Sequence, residues 1–460
     1  MKRNSLEQLN RWISKSKRKP LILRGARQVG KSTLVRLFAK NTAYELVEIN
    51  LEQHKDLDPI FEKLDIEEII LNLQAVSGKA INTNTILFLD EIQATPNALA
   101  ALRYFYELKP DIPVLAAGSL LEFTLKDHSF SMPVGRVNYL HIVPMTFMEY
   151  LQEIDPFLYD LLSNWELLSP IPEQAHKNFL KRQREYMLVG GMPEAVQVFK
   201  DTNSFEEVKD VQDSICNTYF DDFSKYALNR ELVDLQTIYK TIPRIIGKKV
   251  KYVHLLQNAK SAYTAALLEL LVKAKITTKI FSSDLSGVPL SAGIRPKIFK
   301  LLFLDIGLLS RMLRIDIIEL QNINERLLIN EGTLAEQFIG QLLNIDHSQS
   351  TIPEIYYWTR ESHKSNAEVD FAVAKGSLII PIEVKSGMSG TLKSLHQLMY
   401  EKKLPIAFRF DLQPSSIQKI STNISTKTGL VLSRYKLISL PLYAVELLPK
   451  FIDQIRMGKL

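Results

Sequence analysis

Residues 25–32, GARQVGKS, constrain the fold of this chain more than any other stretch. A glycine, four residues and then Gly-Lys-Ser lie between an apolar run, PLILRG (20–25), and a helical pattern, STLVRLFAK (32–40). In a strand–loop–helix setting the two glycines let the backbone curl, so that several N–H groups face one phosphate. Lys31 can reach the outer phosphates, the Ser32 hydroxyl can ligate magnesium, and the helix adds the positive end of its dipole. Gly25, Ala26, Arg27, Gln28, Val29, Gly30, Lys31, Ser32 and Thr33 are therefore the candidate nucleotide-binding segment, with ATP and Mg2+ as its ligand and cofactor. The alternative is an ordinary glycine turn before a helix. With only 18 glycines in 460 residues, chance yields the pattern in roughly one such chain in a hundred, and the strand–loop–helix setting weighs further against the plain turn.

A loop of this kind needs an acid on another strand of the same sheet. TILFLDE (85–91) supplies it: an apolar run raises a strand, with Asp90 and Glu91 at its carboxyl end. Asp90 is placed with Ser32 to hold magnesium, and Glu91 to orient or activate the attacking water. Ser119, closing PVLAAGS (113–119), either hydrogen-bonds the γ-phosphate or water, or simply ends a strand with a small side chain. Arg136, in PVGRVNY, is a candidate arginine finger toward a neighbouring copy; a solvated or salt-bridged arginine is the commoner alternative.

The strands PLILRG, LVEIN (46–50), TILFLD, PVLAAGS and VNYLHI (137–142) are almost continuous apolar runs with helical segments between most of them. That pattern predicts a parallel α/β sheet covered on both faces. Residues 145 to about 245 read as mostly helical. From 248 to 281 the pattern is two helices and a short hairpin, which fits a winged helix as well as other small helical units. A final α/β unit begins near Glu331, with strands at 355–358, 367–373 and 378–386. A single cysteine, Cys216, excludes an intrachain disulfide framework. No apolar stretch reaches the ~18 residues of a membrane span, so the expectation is a cytoplasmic protein with no membrane partner.

The carboxyl-terminal unit carries a second constellation. In LIIPIEVKS side chains alternate faces, so Glu383 and Lys385 oppose Ile382 and Val384. In AEVDFAV, Glu368 and Asp370 oppose Val369 and Phe371, and the turn AKGS predicts a hairpin that brings Asp370 and Glu383 to one face. Two carboxylates and a carbonyl can bind magnesium, and a nearby lysine can stabilise hydroxide or phosphate charge, which is the equipment of a phosphodiesterase. Glu336, on the preceding helix, is a further candidate ligand. The commoner reading of such a face is a salt bridge on an exposed hairpin.

Taken together, RGARQVGKST, LFLDEIQ, AAGSLLEF, VGGMPEAV, FKLLFLDIGLL, GTLAEQFI, YYWTRE, AEVDFAV and PIEVKSG resemble the prokaryotic AAA-type ATPases whose carboxyl-terminal domain of unknown function has a PD-(D/E)XK-nuclease-like fold. The resemblance covers residues from about 20 to 390 in order. It implies a P-loop AAA+ core over 1–155, a helical lid and linker helices over 156–245, a winged-helix-like segment over 246–330, and a restriction-endonuclease-like α/β domain over 331–460. It also places Glu336, Asp370, Glu383 and Lys385 on the nuclease-fold motif, although Val369 stands where the motif's proline would be.

The expected activity is Mg-dependent ATP hydrolysis that drives a nuclease-like module acting on or binding DNA or RNA. The alternative is an ATP-dependent switch gating protein assembly through a non-cleaving module. Homo-oligomerisation is left open, since a finger acting between copies requires neighbours. The formal charge of +6, from 57 basic and 51 acidic residues, permits nucleic-acid contact without demanding it. Basic runs at 15–19, 181–184 and 247–251 are the candidate phosphate contacts, whereas SAYTAALLELL has no lysine or arginine and is a poor groove reader.

Overall fold

The computed structural model describes residues 1–119, 135–167, 169–225, 227–315, 331–345, 354–362, 365–386, 391–426 and 429–458. The LLEF part of the AAGSLLEF stretch (120–123) therefore lies outside the described residues. The chain divides into two units: Met1–Met145 with Glu269–Ile276, and the described residues of Thr146–Leu268, Thr277–Ile345 and Pro353–Leu460.

The first unit holds α1 (Ser5–Ile13), β1 (Leu21–Arg24), α2 (Lys31–Lys40), β2 (Glu45–Asn50), α3 (Asp58–Glu62), α4 (Ile66–Ser77), β3 (Thr85–Asp90), α5 (Pro96–Leu108), β4 (Val114–Gly118) and β5 (Asn138–His141). All five strands are parallel, in the order β2-β3-β4-β1-β5. The expected strands are the observed ones, because a strand covered on both faces must be apolar throughout: every residue of β3 and β4 is buried. Helix boundaries follow local chemistry. Asp65 caps α4 by accepting from the amides of Glu67 and Glu68, Gly78 ends it in a left-handed conformation, and Pro96 opens α5. The core gathers Ile22, Val47, Leu87, Leu89 and Ala116 from the sheet with Ile69, Leu73, Leu102 and Phe105 from the helices.

The second unit begins with α6 (Phe147–Ile154), α7 (Pro156–Ser163), α8 (Glu173–Val189), α9 (Pro193–Thr202), α10 (Phe205–Asp222) and α11 (Arg230–Thr241), then α12 (Tyr252–Leu255) and α13 (Ser261–Lys273), whose residues from Glu269 on are counted with the first unit. Strands β6 (Thr277–Ser283) and β7 (Ile294–Phe303), helices α14 (Ile306–Met312) and α15 (Glu331–Leu343), and strands β8 (Tyr356–Ser362), β9 (Ser365–Lys375) and β10 (Leu378–Val384) follow. The unit closes with α16 (Lys393–Lys402), β11 (Ile406–Asp411), β12 (Ser416–Thr426), β13 (Gly429–Pro441) and α17 (Leu448–Arg456).

Eight strands form one mixed sheet, ordered β12-β13-β11-β10-β9-β8-β6-β7. The hairpin within the segment expected as winged-helix-like (246–330) is thus part of the sheet built by 331–460: β6 pairs antiparallel with β7 and parallel with β8. Two of the helices of 146–245 share a core with α15, where Phe147, Tyr186 and Phe338 meet edge to face at 5.7 to 5.9 Å.

Candidate functional site

Strand β1 ends at Arg24, and the loop that follows passes against β5. Gly25 has φ +154°, and a Cβ there would fall 2.1 Å from the Ile142 carbonyl oxygen. Only glycine fits that approach. Gln28 (φ 61°) and Gly30 (φ 87°) complete the curl. Gly30 is the N-cap of α2 and offers no side chain to its first amides, and no acid stands in the first turn. These amides remain available to an anion. The loop is anchored from outside by Arg3, whose guanidinium donates to the carbonyls of Val29 (3.2 Å) and Val143 (2.6 Å).

Lys31 is buried and donates to the carbonyls of Gly25 (3.1 Å) and Ala26 (2.8 Å). Burial lowers its pKa to about 8, with Glu91 and Asp90 pulling the other way. Ser32 donates its hydroxyl to Asp90 Oδ2 at 2.6 Å. Burial also raises the Asp90 pKa, against the Ser32 bond. Two oxygens from separate elements are therefore already paired at the loop mouth, as a magnesium site requires.

Glu91 adopts a left-handed backbone (φ 49°) that turns the chain off β3. Its Oε2 accepts from Gln93 Nε2 and from the Ser119 hydroxyl at 3.5 Å. Gln93 is a residue the sequence reading missed, and Gly118 makes room for it: a Cβ at 118 would sit 2.3 Å from Gln93 Oε1. Its only advance signal was its place two residues beyond Glu91. Arg136 is exposed and donates to Glu107 at 2.8 Å, a carboxylate that Arg103 also holds. Here the salt-bridged alternative describes its position.

In the second unit the structure brings Glu336, Asp370, Glu383 and Lys385 together and adds two residues to them. Register pairs Ile382 with Phe371, which sets Glu383 opposite Asp370 on one face of the hairpin. Asp370 Oδ2 accepts from the Val384 amide at 2.8 Å, and Lys385 lies 2.7 Å from Glu383 Oε1. Lys300, from β7, puts its ammonium 2.5 Å from Glu368, 3.4 Å from Glu336 and 3.9 Å from Asp370. Burial raises Glu336 and Glu383 to about 8, with Asp370 adding to both. Burial lowers Lys300, but Glu336, Asp370 and Glu368 outweigh it and its pKa is raised. Among the described residues no group of three or more acids, histidines or cysteines is so arranged that it could hold a metal ion, and this includes the acids as they stand around the Lys300 ammonium. Lys300 was not read from sequence, since nothing in PKIFKLLF marks it apart from other lysines.

Tyr357 and Trp358, beside the acid cluster on β8, are buried, so neither ring is open to stack on a nucleic-acid base. Two of the basic runs have structural employment: Arg18 donates to the carbonyls of Ile13 and Asp111, and Arg182 bridges Asp155 and Glu185. The third, 247–251, starts against the acid cluster, because a Cβ on Gly247 would lie 2.9 Å from Glu336 Oε2. Among the described residues no helix is long and apolar enough to cross a membrane.

Residues 17–151 match the AAA domain family. Residues 180–318 match a domain of unknown function, DUF8612, and residues 331–428 another, DUF4143. No curated protein matches the chain. Among solved structures, the Walker-type ATPase PABY2304 of Pyrococcus abyssi is similar at 16% identity over 67% of this chain and 94% of its own, with a TM-score of 0.43. The RuvB Holliday junction branch migration motor of Thermotoga maritima is similar at 16% identity over 60% and 87%, with a TM-score of 0.28. A signal-transduction ATPase with numerous domains, PH0952 of Pyrococcus horikoshii, is similar at 13% identity over 75% and 45%, with a TM-score of 0.24. Most of the segment that matches the AAA domain family, 17–151, lies in the first unit.

Proposed function

We propose that this AAA domain binds ATP with magnesium and hydrolyses it, and that its turnover serves a nuclease-like module in the second unit that binds nucleic acid without cutting it. The observation that carries the first part is the 2.6 Å contact between Ser32 and Asp90, made at the mouth of a loop whose amides are uncapped. The phosphates lie against those amides. Lys31 exchanges its two loop carbonyls for phosphate oxygens, and its charge is available because a pKa of about 8 keeps it mostly protonated at neutral pH. Magnesium, when bound, neutralises phosphate charge and fixes the phosphate geometry; Ser32 and Asp90 are the residues that would hold it. Glu91 orients the attacking water and takes its proton, while Ser119 and Gln93 set the carboxylate's position. Arg136 reaches a neighbouring copy only by leaving Glu107.

Two substitutions test this. Lys31→Ala should abolish ATP binding, whereas Glu91→Gln should keep binding and slow turnover by about 10²-fold or more. Hydrolysis at the parent rate in both variants would show that the enzyme assignment is wrong.

For the second unit, the sequence left cleavage and binding both open. Lys300 favours binding, because its ammonium already stands among the carboxylates that would ligate a catalytic metal. The basic run at 247–251 adjoins Glu336 through Gly247, and its lysines are the groups that would meet phosphates there. Incubation with DNA and RNA in magnesium or manganese should give retarded migration and no cutting. Cleavage lost in Asp370→Ala would establish a nuclease instead, and no interaction at all would favour a protein-assembly switch.

A further inference from the structure

We infer that Lys300 is the resident cation of the acid nest in the second unit, and that its ammonium excludes a divalent metal from the very carboxylates that would otherwise bind one. The inference rests on reading this cluster as nuclease-like and states what became of its metal position.

The geometry is that of a seated ion rather than a surface salt bridge. The Lys300 side chain is 3% exposed, and its Nζ lies within 3.9 Å of carboxylate oxygens from Glu336, Glu368 and Asp370. These acids arrive from α15 and β9, so two separate elements converge on one point. The Tyr357 ring lies under the same nitrogen, 5.2 Å from its centroid, and adds a cation-binding face. A second observation is independent of Lys300's own contacts. Glu383 is 5% exposed, and its Oε2 is buried without a hydrogen-bond partner. An unpartnered buried carboxylate oxygen is costly and needs an explanation. The hairpin register sets Glu383 opposite Asp370 on one face, so this carboxylate stands beside the acids around Lys300 with one oxygen unused.

An ammonium and a hexacoordinate divalent ion cannot share that space. Magnesium requires oxygen ligands at about 2.1 Å, and a lysine nitrogen among them supplies positive charge where the metal would stand. Removing the ammonium leaves carboxylates that a divalent cation can neutralise. The prediction is specific to hard, oxygen-seeking ions such as Mg2+ and Mn2+.

The experiment counts Mn2+ bound by nucleotide-free full-length protein, using electron paramagnetic resonance. Four proteins are compared: parent, Asp370→Asn, Lys300→Met and Lys300→Met/Asp370→Asn. Parent and Asp370→Asn should bind alike, because the nest is closed to metal. Lys300→Met should gain one Mn2+ with affinity raised by about tenfold or more, and the added Asp370→Asn should abolish the gain. Should Lys300→Met fail to fold, Lys300→Gln, which removes the charge but keeps a polar group among the acids, should show the same gain. Parent protein that binds Mn2+ in a manner lost on Asp370→Asn would overturn the inference, as would a folded Lys300 variant that gains no ion. The readout is independent of nucleic acid: loss of DNA and RNA binding with the expected Mn2+ pattern would reject the proposed substrate class and leave Lys300's role standing.

Discussion

At the scale of single residues, the proposed ATP site depends on one approach that no side chain tolerates. The obstacle to a Cβ at Gly25 is the backbone oxygen of Ile142, 2.1 Å away, with its carbon at 3.1 Å. Neither can rotate aside as a flexible side chain would, so relief must come from shifting the loop off β5. Gly25→Ala is therefore expected to weaken ATP binding by about tenfold or more and to cost about 1–3 kcal/mol of stability. Titration with a fluorescent ATP analogue, alongside urea unfolding, checks both, and a variant with parent affinity and stability would refute the close approach. Glu91 shows a different dependence. Its identity follows from the strand that precedes it, but its orientation is set by Gln93 and Ser119, brought to it from a turn and from a neighbouring strand.

At the scale of elements, the turn GGMPEA and the start of α14 form one device. Asp305 is fully buried and caps α14 by accepting from the Leu308 amide at 3.1 Å, while its other oxygen accepts from the Gly191 amide at 2.6 Å. Gly190 and Gly307 face each other closely enough that a Cβ on Gly307 would lie 2.6 Å from the Gly190 nitrogen. Two motifs far apart in the chain are thus explained by a single contact between the end of α8 and the start of α14. Asp305→Ala removes a cap and leaves a buried amide without an acceptor, so the expected loss is about 3 kcal/mol. A shift in urea midpoint too small for about 1 kcal/mol would show that the two elements are held by packing alone.

At the scale of the whole molecule, the second unit buries several acids whose charged forms the fold disfavours. Burial raises Asp305 from 3.8 to about 6 and Glu446 from 4.5 to about 7, with Glu336 and Glu383 displaced in the same direction. A raised carboxyl pKa means the folded state holds its proton longer than the unfolded chain does. The stabilisation is then complete below the unfolded values and is lost as pH rises through the folded ones. The second unit should therefore unfold at progressively lower urea as pH increases from 5 to 8, and Asp305→Asn should flatten the trend. A midpoint that climbs over this window would contradict the placement of these acids. The first unit carries a cation displaced the other way, Lys31, so the two units need not follow one pH profile.

The amino-acid sequence alone determined the parallel core and the curled glycine loop that follows its first strand, because both are local: a strand buried on two faces must be apolar along its length, and a tightly curled loop must have glycines at fixed positions. It also determined that Asp370 and Glu383 share a face, through two-residue periodicity across a tight hairpin. Tertiary structure alone decided that β6 and β7 join the carboxyl-terminal sheet, since pairing between strands distant in sequence leaves no periodic trace in either. It alone decided that Lys300 stands among the acids, 36 residues from Glu336, because a lysine's place in a strand says nothing of which charges the fold will bring against it. Short-range geometry is written in residue order; long-range electrostatics exists only once the chain has closed upon itself.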